Sequence, residues 1–474
     1  MSHDNSTSND ISTNRISRRD LVKGAAVGAG AAALLGPLGV ARAADRRASS
    51  GVTVTLATNA SFQTYKGLHG GPLYTELAAA LKRQTGITLN VVFIPENLLY
   101  NKVQLDIAGG ARRYDMMETG AGGAKQFGMA GRLLALPRPK DIGDFFPGDI
   151  QQYSLGSTLY GYPKITDTNL YYWRTDLVKK AGFDATRPPA TLAEARQRAS
   201  ALTVDANGRH PNDPKFDRGR VVVYGDNYKG TAGLANTWEW YNYLFEYGGE
   251  VLSDKNYALT LDQPAAVDSL QWVVDNFRTY KIYPDGVPTF DYTEFAALFY
   301  AGKVATCLNW PYMYTVAKDP KQSKVAGKVA VGLRPGNVTH GGEIGGWSIN
   351  VLKQTSHPDE AVAVAAFLSA PDAMRMYSSA ANGLTPARQS LFGDLTKRDP
   401  ALYSAVSANL AHGKGLNLLA TGPSWMACEN VLQQAIQSAL IGKATPKAAL
   451  SQATSSINAI LRQNRFYEQI RQIR

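Results

Sequence analysis

Two cysteines in 474 residues, Cys307 and Cys428, are too few for a disulfide scaffold and form no metal-ligand cluster. An oxidising compartment permits one bridge between them, while their apolar surroundings equally suit two buried free thiols. No segment reaches about 18 uninterrupted apolar residues, which excludes an evident membrane-spanning helix. No block of about five like charges occurs either, so the net charge of +11 reads as a solvated basic surface, with no nucleic-acid partner. The chain also lacks G-x-S-x-G, H-E-x-x-H and the phosphate-loop pattern. GAGGAKQFG at 120–128 comes nearest to a dinucleotide fingerprint, but Lys125 stands at the third glycine position and the first-strand context is missing. The histidines are isolated from one another. A chain this long without a nucleophile, metal site or cofactor loop points to binding, with no cofactor and no metal.

What is present begins with an address. Arg18 and Arg19 lie in SRRDLVK, ahead of the weakly apolar GAAVGAGAAALLGPLGV and the small-x-small Ala41-Arg42-Ala43. Basic region, apolar region and cleavage site in this order read as a twin-arginine export signal over residues 1–43. Residues 1–43 carry five Lys/Arg and three Asp/Glu, so the mature charge is +9. Residues 44–474 are enough for two or three domains.

The mature chain alternates strand and helix. VTVTLAT (52–58) has strand composition; Pro72 suits a first helical position before PLYTELAAALKRQ; Gly86 ends that helix. ITLNVVFIP (87–95), the helical LLYNKVQLDIAGG and the short strand RYDMMET follow. This order predicts a parallel sheet covered by helices. Thr191-Leu192-Ala193-Glu194 is a capping box, and Pro264 and Pro446 open further helices.

The stretch TWEWYNYLFEYGGE (237–250) crowds six aromatics between Trp238 and Tyr247. At about 100° per residue, Glu239, Asn242 and Glu246 form one narrow polar stripe and aromatics take most of the remaining circumference. Most of this helix is therefore expected in a core. Its first turn, with Trp238, Glu239 and Trp240, follows the Gly/Thr/Asn-rich GTAGLANT and is a candidate stacking surface.

KRQTGITLNVVFIP is similar to the first helix-to-strand turn of extracellular solute-binding proteins of ABC importers, the maltose-binding-protein-like, carbohydrate-binding family. LYGYPKITDTNLYYWRTDLVKKAGFDATRPPATLAEA resembles that family's most recognisable block. LTLDQPAAVDSLQWVVDNF, LFYAGKVATCLNWPY, GGWSINVLKQTSHPDEAVAVAAFLSAPDA, LTPARQSL and GKATPKAALSQATSSINAIL follow in family order across nearly all of residues 52–462. The resemblance implies an α/β, two-lobed periplasmic-binding-protein fold (type II, Venus-flytrap) with hinge strands between the lobes. Lobe 1 is placed at 44–167 plus 340–395, and lobe 2 at 168–339 plus 396–474. It further implies a periplasmic, monomeric receptor that takes a sugar or oligosaccharide between the lobes and hands it to a membrane permease.

A pyranose offers apolar faces and a rim of hydroxyls, which aromatic rings and fixed polar groups respectively engage. The resemblance supplies candidates for both. Asp167 lies in the first hinge block; Asn309, Trp310 and Tyr312 follow the VATCL strand; Gly346 and Trp347 form the GGW turn; Arg388 stands in TPAR. Trp238, Glu239, Trp240 and Trp425 join them. Where many relatives place a ligand contact after the third strand, ETGAGGAKQ offers only Glu118 and Thr119. An anionic sugar derivative or a non-sugar solute is the alternative ligand. An exported carbohydrate-active enzyme or redox protein is the alternative class.

Overall fold

The computed structural model describes residues 51–468 except 121, 254, 380–381 and 417–421. The export segment lies outside the described residues. Strand β1 (Thr53–Asn59) pairs in parallel with β2 (Thr88–Ile94) and with β3 (Met116–Gly120). Helix α1 (Leu73–Thr85) connects the first two strands and buries Leu73, Tyr74, Leu77 and Leu81, spaced to share one face. Gly86 ends it in the left-handed conformation, φ 79°, its N–H donating to the Lys82 carbonyl. Pro72 is extended at ψ 131° and stands one residue ahead of the helix rather than in its first turn. Helix α2 (Glu96–Ala108) leads back to β3, and α3 (Gly123–Met129) follows β3. The parallel strand–helix pattern expected from the sequence is therefore present.

The chain then crosses twice between sheets. After α4 (Pro147–Gln152), β4 (Tyr162–Thr168) lies in the first sheet, antiparallel to β8 (Gly342–Val351). One residue later β5 (Leu170–Arg174) is the centre of a second, three-stranded antiparallel sheet with β6 (Thr306–Asn309) and β7 (Val329–Gly332). The first sheet runs β9-β8-β3-β1-β2, with β9 at Gly413–Lys414 and β4 also pairing β8. Each sheet is thus assembled from distant segments, and Asn169 is the turning point between them.

Strand β5 has no solvent face. Tyr171 and Trp173 enter one core, while Leu170 and Tyr172 enter another, as period-two alternation requires. The core that takes Tyr171 and Trp173 also takes residues of α5 (Leu192–Leu202), α6 (Leu234–Glu246), α7 (Pro264–Arg278), α10 (Trp425–Leu440) and α11 (Pro446–Gln463), the core that takes Tyr172 includes α8 (Tyr312–Lys318), and α9 (Pro358–Leu368) covers the first sheet. Thr191 caps α5 by accepting from the Glu194 amide, but the Glu194 carboxylate accepts from Ala190 N–H rather than from Thr191. Pro264 and Pro446 are the first residues of their helices. Cys307 and Cys428 are both buried, and no disulfide joins them. Among the described residues no helix is long and apolar enough to cross a membrane.

The polar stripe on α6 is buried, not solvated. Glu239 pairs with Lys229 at 2.6 Å, Asn242 accepts from Glu343 N–H, and Glu246 lies 3.6 Å from Arg334. Arg334 also donates to Thr168 Oγ1 and to the Asn169 carbonyl. The stripe therefore docks α6 onto the turning point between the sheets. Burial pushes Glu246 and Glu343 well above the usual carboxylate range, against the opposing charge of Arg334.

Candidate binding site at the crossing strands

Asp167 is the last but one residue of β4, paired in register with Gly345 of β8. The missing side chain at Gly345 leaves room there: an added Cβ would lie 2.7 Å from the Trp310 ring and 3.7 Å from Asp167 Cβ. A carboxylate from the first sheet and an indole from the second thus flank the same glycine. Asp167 Oδ1 is buried without a hydrogen-bond partner, although the residue as a whole keeps some exposure. Burial pushes its carboxyl up to about 8, against the backbone hydrogen bond from Thr168.

Trp310 is fixed from behind. Its carbonyl accepts from the Tyr172 hydroxyl at 2.8 Å, and its N–H donates to Asn309 Oδ1 at 3.0 Å. Trp238 lies beside it, ring centroids 6.3 Å apart. Tyr312 opens α8, and an added Cβ at Gly383 would lie 3.6 Å from its Cα. All three aromatics are half-buried.

The first sheet contributes Trp347. Gly346 before it has φ 118°, and a Cβ there would stand 2.3 Å from the Ile165 carbonyl oxygen, so only glycine fits. The β4–β8 register shifts between Trp347 and Ser348, a local irregularity that re-aims the side chain. The Trp347 ring meets Phe62 edge-on at 5.1 Å. On the other side of the seam, Trp425 at the start of α10 covers Gly122, where a Cβ would lie 2.6 Å from its ring, and faces Tyr100 at 6.4 Å. The glycines of GAGGAKQFG thus serve close packing: Gly122 against Trp425, and Gly123 against Thr119 and Tyr100.

The remaining sequence candidates are placed inside the protein. Glu118 accepts from Thr58 at 2.5 Å, Tyr74 at 2.6 Å and Lys164 at 2.9 Å. Thr119 donates to Asn350 Oδ1 at 2.9 Å. Glu239 is occupied by Lys229, and Trp240 is 0% exposed, its Nε1 donating to Ser269. Asn309 supports the Trp310 backbone from a buried position. Arg388 ties two loops together, donating to the Ser369 carbonyl, Asp141 and Asp144 with its guanidinium over Phe145.

Several groups at the same place were not legible in the sequence. Asp149 and Gln152 of α4 lie under the crossing strands; Gln152 Nε2 donates to the Gly345 carbonyl at 3.3 Å, and both Asp149 oxygens lack a partner. Burial raises Asp149, with the Asp167 charge adding to the effect. Tyr153, Tyr100 and Phe62 complete the surroundings. Only Pro147 at the start of α4 signals that element, and nothing local shows where it docks. Among the described residues no group of three His, Cys, Asp or Glu is placed to hold a metal.

Three raised carboxyls give a pH prediction. Asp167 and Asp226 are pushed up to about 8 and Glu429 to about 7, in each case mainly by burial. The folded chain keeps these protons where the unfolded chain has lost them, from about pH 4 upward. Their contribution to stability is therefore full below pH 4 and is lost as pH rises through 7 to 8. Urea unfolding at pH 5.5 and pH 8 should show the lower stability at pH 8. Asp226→Asn should shrink that difference; an unchanged difference would remove Asp226 from the account.

Residues 67–375 match the family model for bacterial extracellular solute-binding proteins. A probable ABC transporter-binding protein of Deinococcus radiodurans is 28% identical over 434 residues, 88% of this chain and 96% of that one. A mannitol-binding protein of Pseudomonas aeruginosa is 26% identical over 284 residues, 59% of this chain and 61% of that one. Among solved structures, maltose-bound MalE3 of T. maritima superposes with a TM-score of 0.72 at 21% identity, covering 87% of this chain and all of that one. The chain thus has the mixed α/β fold of the two-lobed periplasmic solute-binding proteins.

Proposed function

The chain belongs to the bacterial extracellular solute-binding proteins, and on that premise we propose that it captures a sugar, sugar alcohol or short oligosaccharide between its lobes. The loaded, closed protein then presents its solute to the membrane permease of an ABC importer. The observation that carries this reading is the pairing of Asp167, with an unpartnered Oδ1, and the Trp310 indole on either side of Gly345. A ring face stacks on Trp310 and its hydroxyls donate to the carboxylate, which is the division of labour a saccharide needs. Trp238, Tyr312 and Trp347, all half-buried, supply further ring surface, whereas Trp425 is enclosed in the core. Mannitol, maltose and tagatose named with relatives and structural neighbours agree in chemistry.

The site performs no chemistry in this reading. Asp149 is buried beneath Asp167, while Glu118, Glu239 and Glu343 lie in internal networks. Among these acidic residues Asp167 is the one that keeps some exposure, and hydrolysis of a glycosidic bond ordinarily takes two carboxyl groups. The lobes run over 44–167 plus 340–395 and 168–339 plus 396–474, with residues 1–43 as a twin-arginine signal and the mature protein a periplasmic monomer.

Asp167→Asn tests the reading. A hydrogen bond to a neutral, buried carboxyl is worth about 0.5–1.5 kcal/mol, so affinity for the bound saccharide should fall about 2- to 10-fold. Isothermal titration of the variant against the parent measures it; equal affinity would take Asp167 out of the site.

A further inference from the structure

Trp310 is held from behind by Tyr172 and Asn309, but Trp238, whose ring centroid lies 6.3 Å from it, stands on a different element. Gly233 at the head of α6 gives no side-chain cap. One side of α6 is fastened to α10: Asn236 Nδ2 donates to the Gln433 carbonyl at 3.3 Å, and the Tyr241 hydroxyl to Glu429 at 2.7 Å. On the side of β6 the connection runs through residues 225–229. Thr306 N–H donates to the Gly225 carbonyl at 3.0 Å, which ties this segment to the strand. The Tyr228 hydroxyl donates to the Asn236 carbonyl at 2.9 Å, which ties it to the helix.

Lys229 closes the connection with charge. Its ammonium, on a side chain 1% exposed, lies 2.6 Å from Glu239 Oε2 and donates to the Leu308 carbonyl at 3.3 Å. Its own N–H donates to the same Glu239 oxygen at 3.2 Å. The Phe295 ring covers the ammonium, 3.9 Å from its centroid. Glu239 follows Trp238 in the chain, and Leu308 precedes Trp310 by two residues. A buried ion pair adds little net stability over apolar groups of the same volume, but its directed, charge-assisted bonds fix where its partners stand.

We propose that Lys229 is a positioning residue of the solute site: by bridging Glu239 and the Leu308 carbonyl, it sets the spacing and tilt of the Trp238 and Trp310 rings as one stacking platform. The inference rests on that ring pair belonging to the saccharide site proposed above. The two indole planes stand at 50°, so one ring takes a face of the sugar while the other meets its edge. Lys229 acts through the two backbones and needs no contact with the solute.

Circular dichroism reads the ring pair directly, because two indoles this close couple excitonically. In residues 44–474, a couplet lost in both Trp238→Phe and Trp310→Phe is that of the pair. Lys229→Met with Glu239→Gln removes the bridge without leaving a lone buried charge. This double variant should still unfold cooperatively in urea, yet lose most of the couplet. Its affinity for whichever of glucose, maltose and mannitol the parent binds most tightly should fall roughly tenfold, about the worth of one stacked ring. Glu239→Gln alone, which keeps an acceptor for Lys229 without the charge, should show the same losses in smaller measure. Because the bridge acts through Trp238, Trp238→Ala should cost the double variant far less affinity than it costs the parent. A parent lacking the couplet, or a folded variant that keeps the parent's couplet or affinity, overturns the inference and leaves the saccharide receptor standing. A parent that binds none of the three compounds defeats the saccharide reading, and the platform with it.

Discussion

Trp310→Ala lowers affinity for the solute roughly 10- to 100-fold and leaves the fold intact. Burying an aromatic side chain against an apolar surface contributes roughly 1.5–3 kcal/mol, and each 1.4 kcal/mol is about tenfold in affinity. The ring is half-buried at the cleft, so its loss opens little cavity in either core. Its backbone is held independently by Tyr172 and Asn309, which the substitution leaves in place. Trp240, one turn of the same argument away, behaves oppositely: it is wholly enclosed, and its truncation destabilises the lobe rather than the complex. Titration of Trp310→Ala alongside its urea unfolding curve separates the two effects. Wild-type affinity in a folded Trp310→Ala protein would move the sugar platform elsewhere.

Glu118→Ala carries the largest expected loss of stability, about 3–5 kcal/mol, the usual result of stranding a buried charge. Glu118 and Lys164 are both without exposed side-chain surface. The Lys164 ammonium is enclosed by the rings of Phe62 at 4.0 Å, Tyr377 at 4.5 Å and Tyr74 at 5.0 Å. Burial already pushes the Lys164 pKa down, and Glu118 is what opposes it. Phe62 also holds the edge of Trp347, so the damage extends to the cleft. Replacing both partners, as Glu118→Leu with Lys164→Met, should cost less than Glu118→Ala, because no lone charge remains. Urea unfolding of both variants checks this. A double variant weaker by the sum of the single losses would mean the pair is not coupled.

Legibility followed sequence distance. The β1–α1–β2–α2–β3 run, the Thr191 cap and the proline-started helices depend on neighbours a few residues apart, and their patterns are visible in the letters. Asp167, Gly346 and Trp347, which the structure places on the paired strands β4 and β8, stand out in the sequence only through family resemblance, not through any local rule. Glu118 looked like a ligand group because its satisfying partners lie 60, 44 and 46 residues away. The same holds for Arg388, whose acceptors Asp141 and Asp144 are more than 240 residues distant. Reading α6 as a wheel identified its polar stripe, but not that Lys229 and Arg334 would bury it.

The most direct test of a saccharide receptor is calorimetric titration of residues 44–474 with a panel of neutral, acidic and phosphorylated saccharides, recovering the sugar afterwards. The structure predicts saturable binding of one solute per chain, with the sugar recovered unchanged. Absence of binding across the whole panel, or recovery of a cleaved sugar, would contradict it.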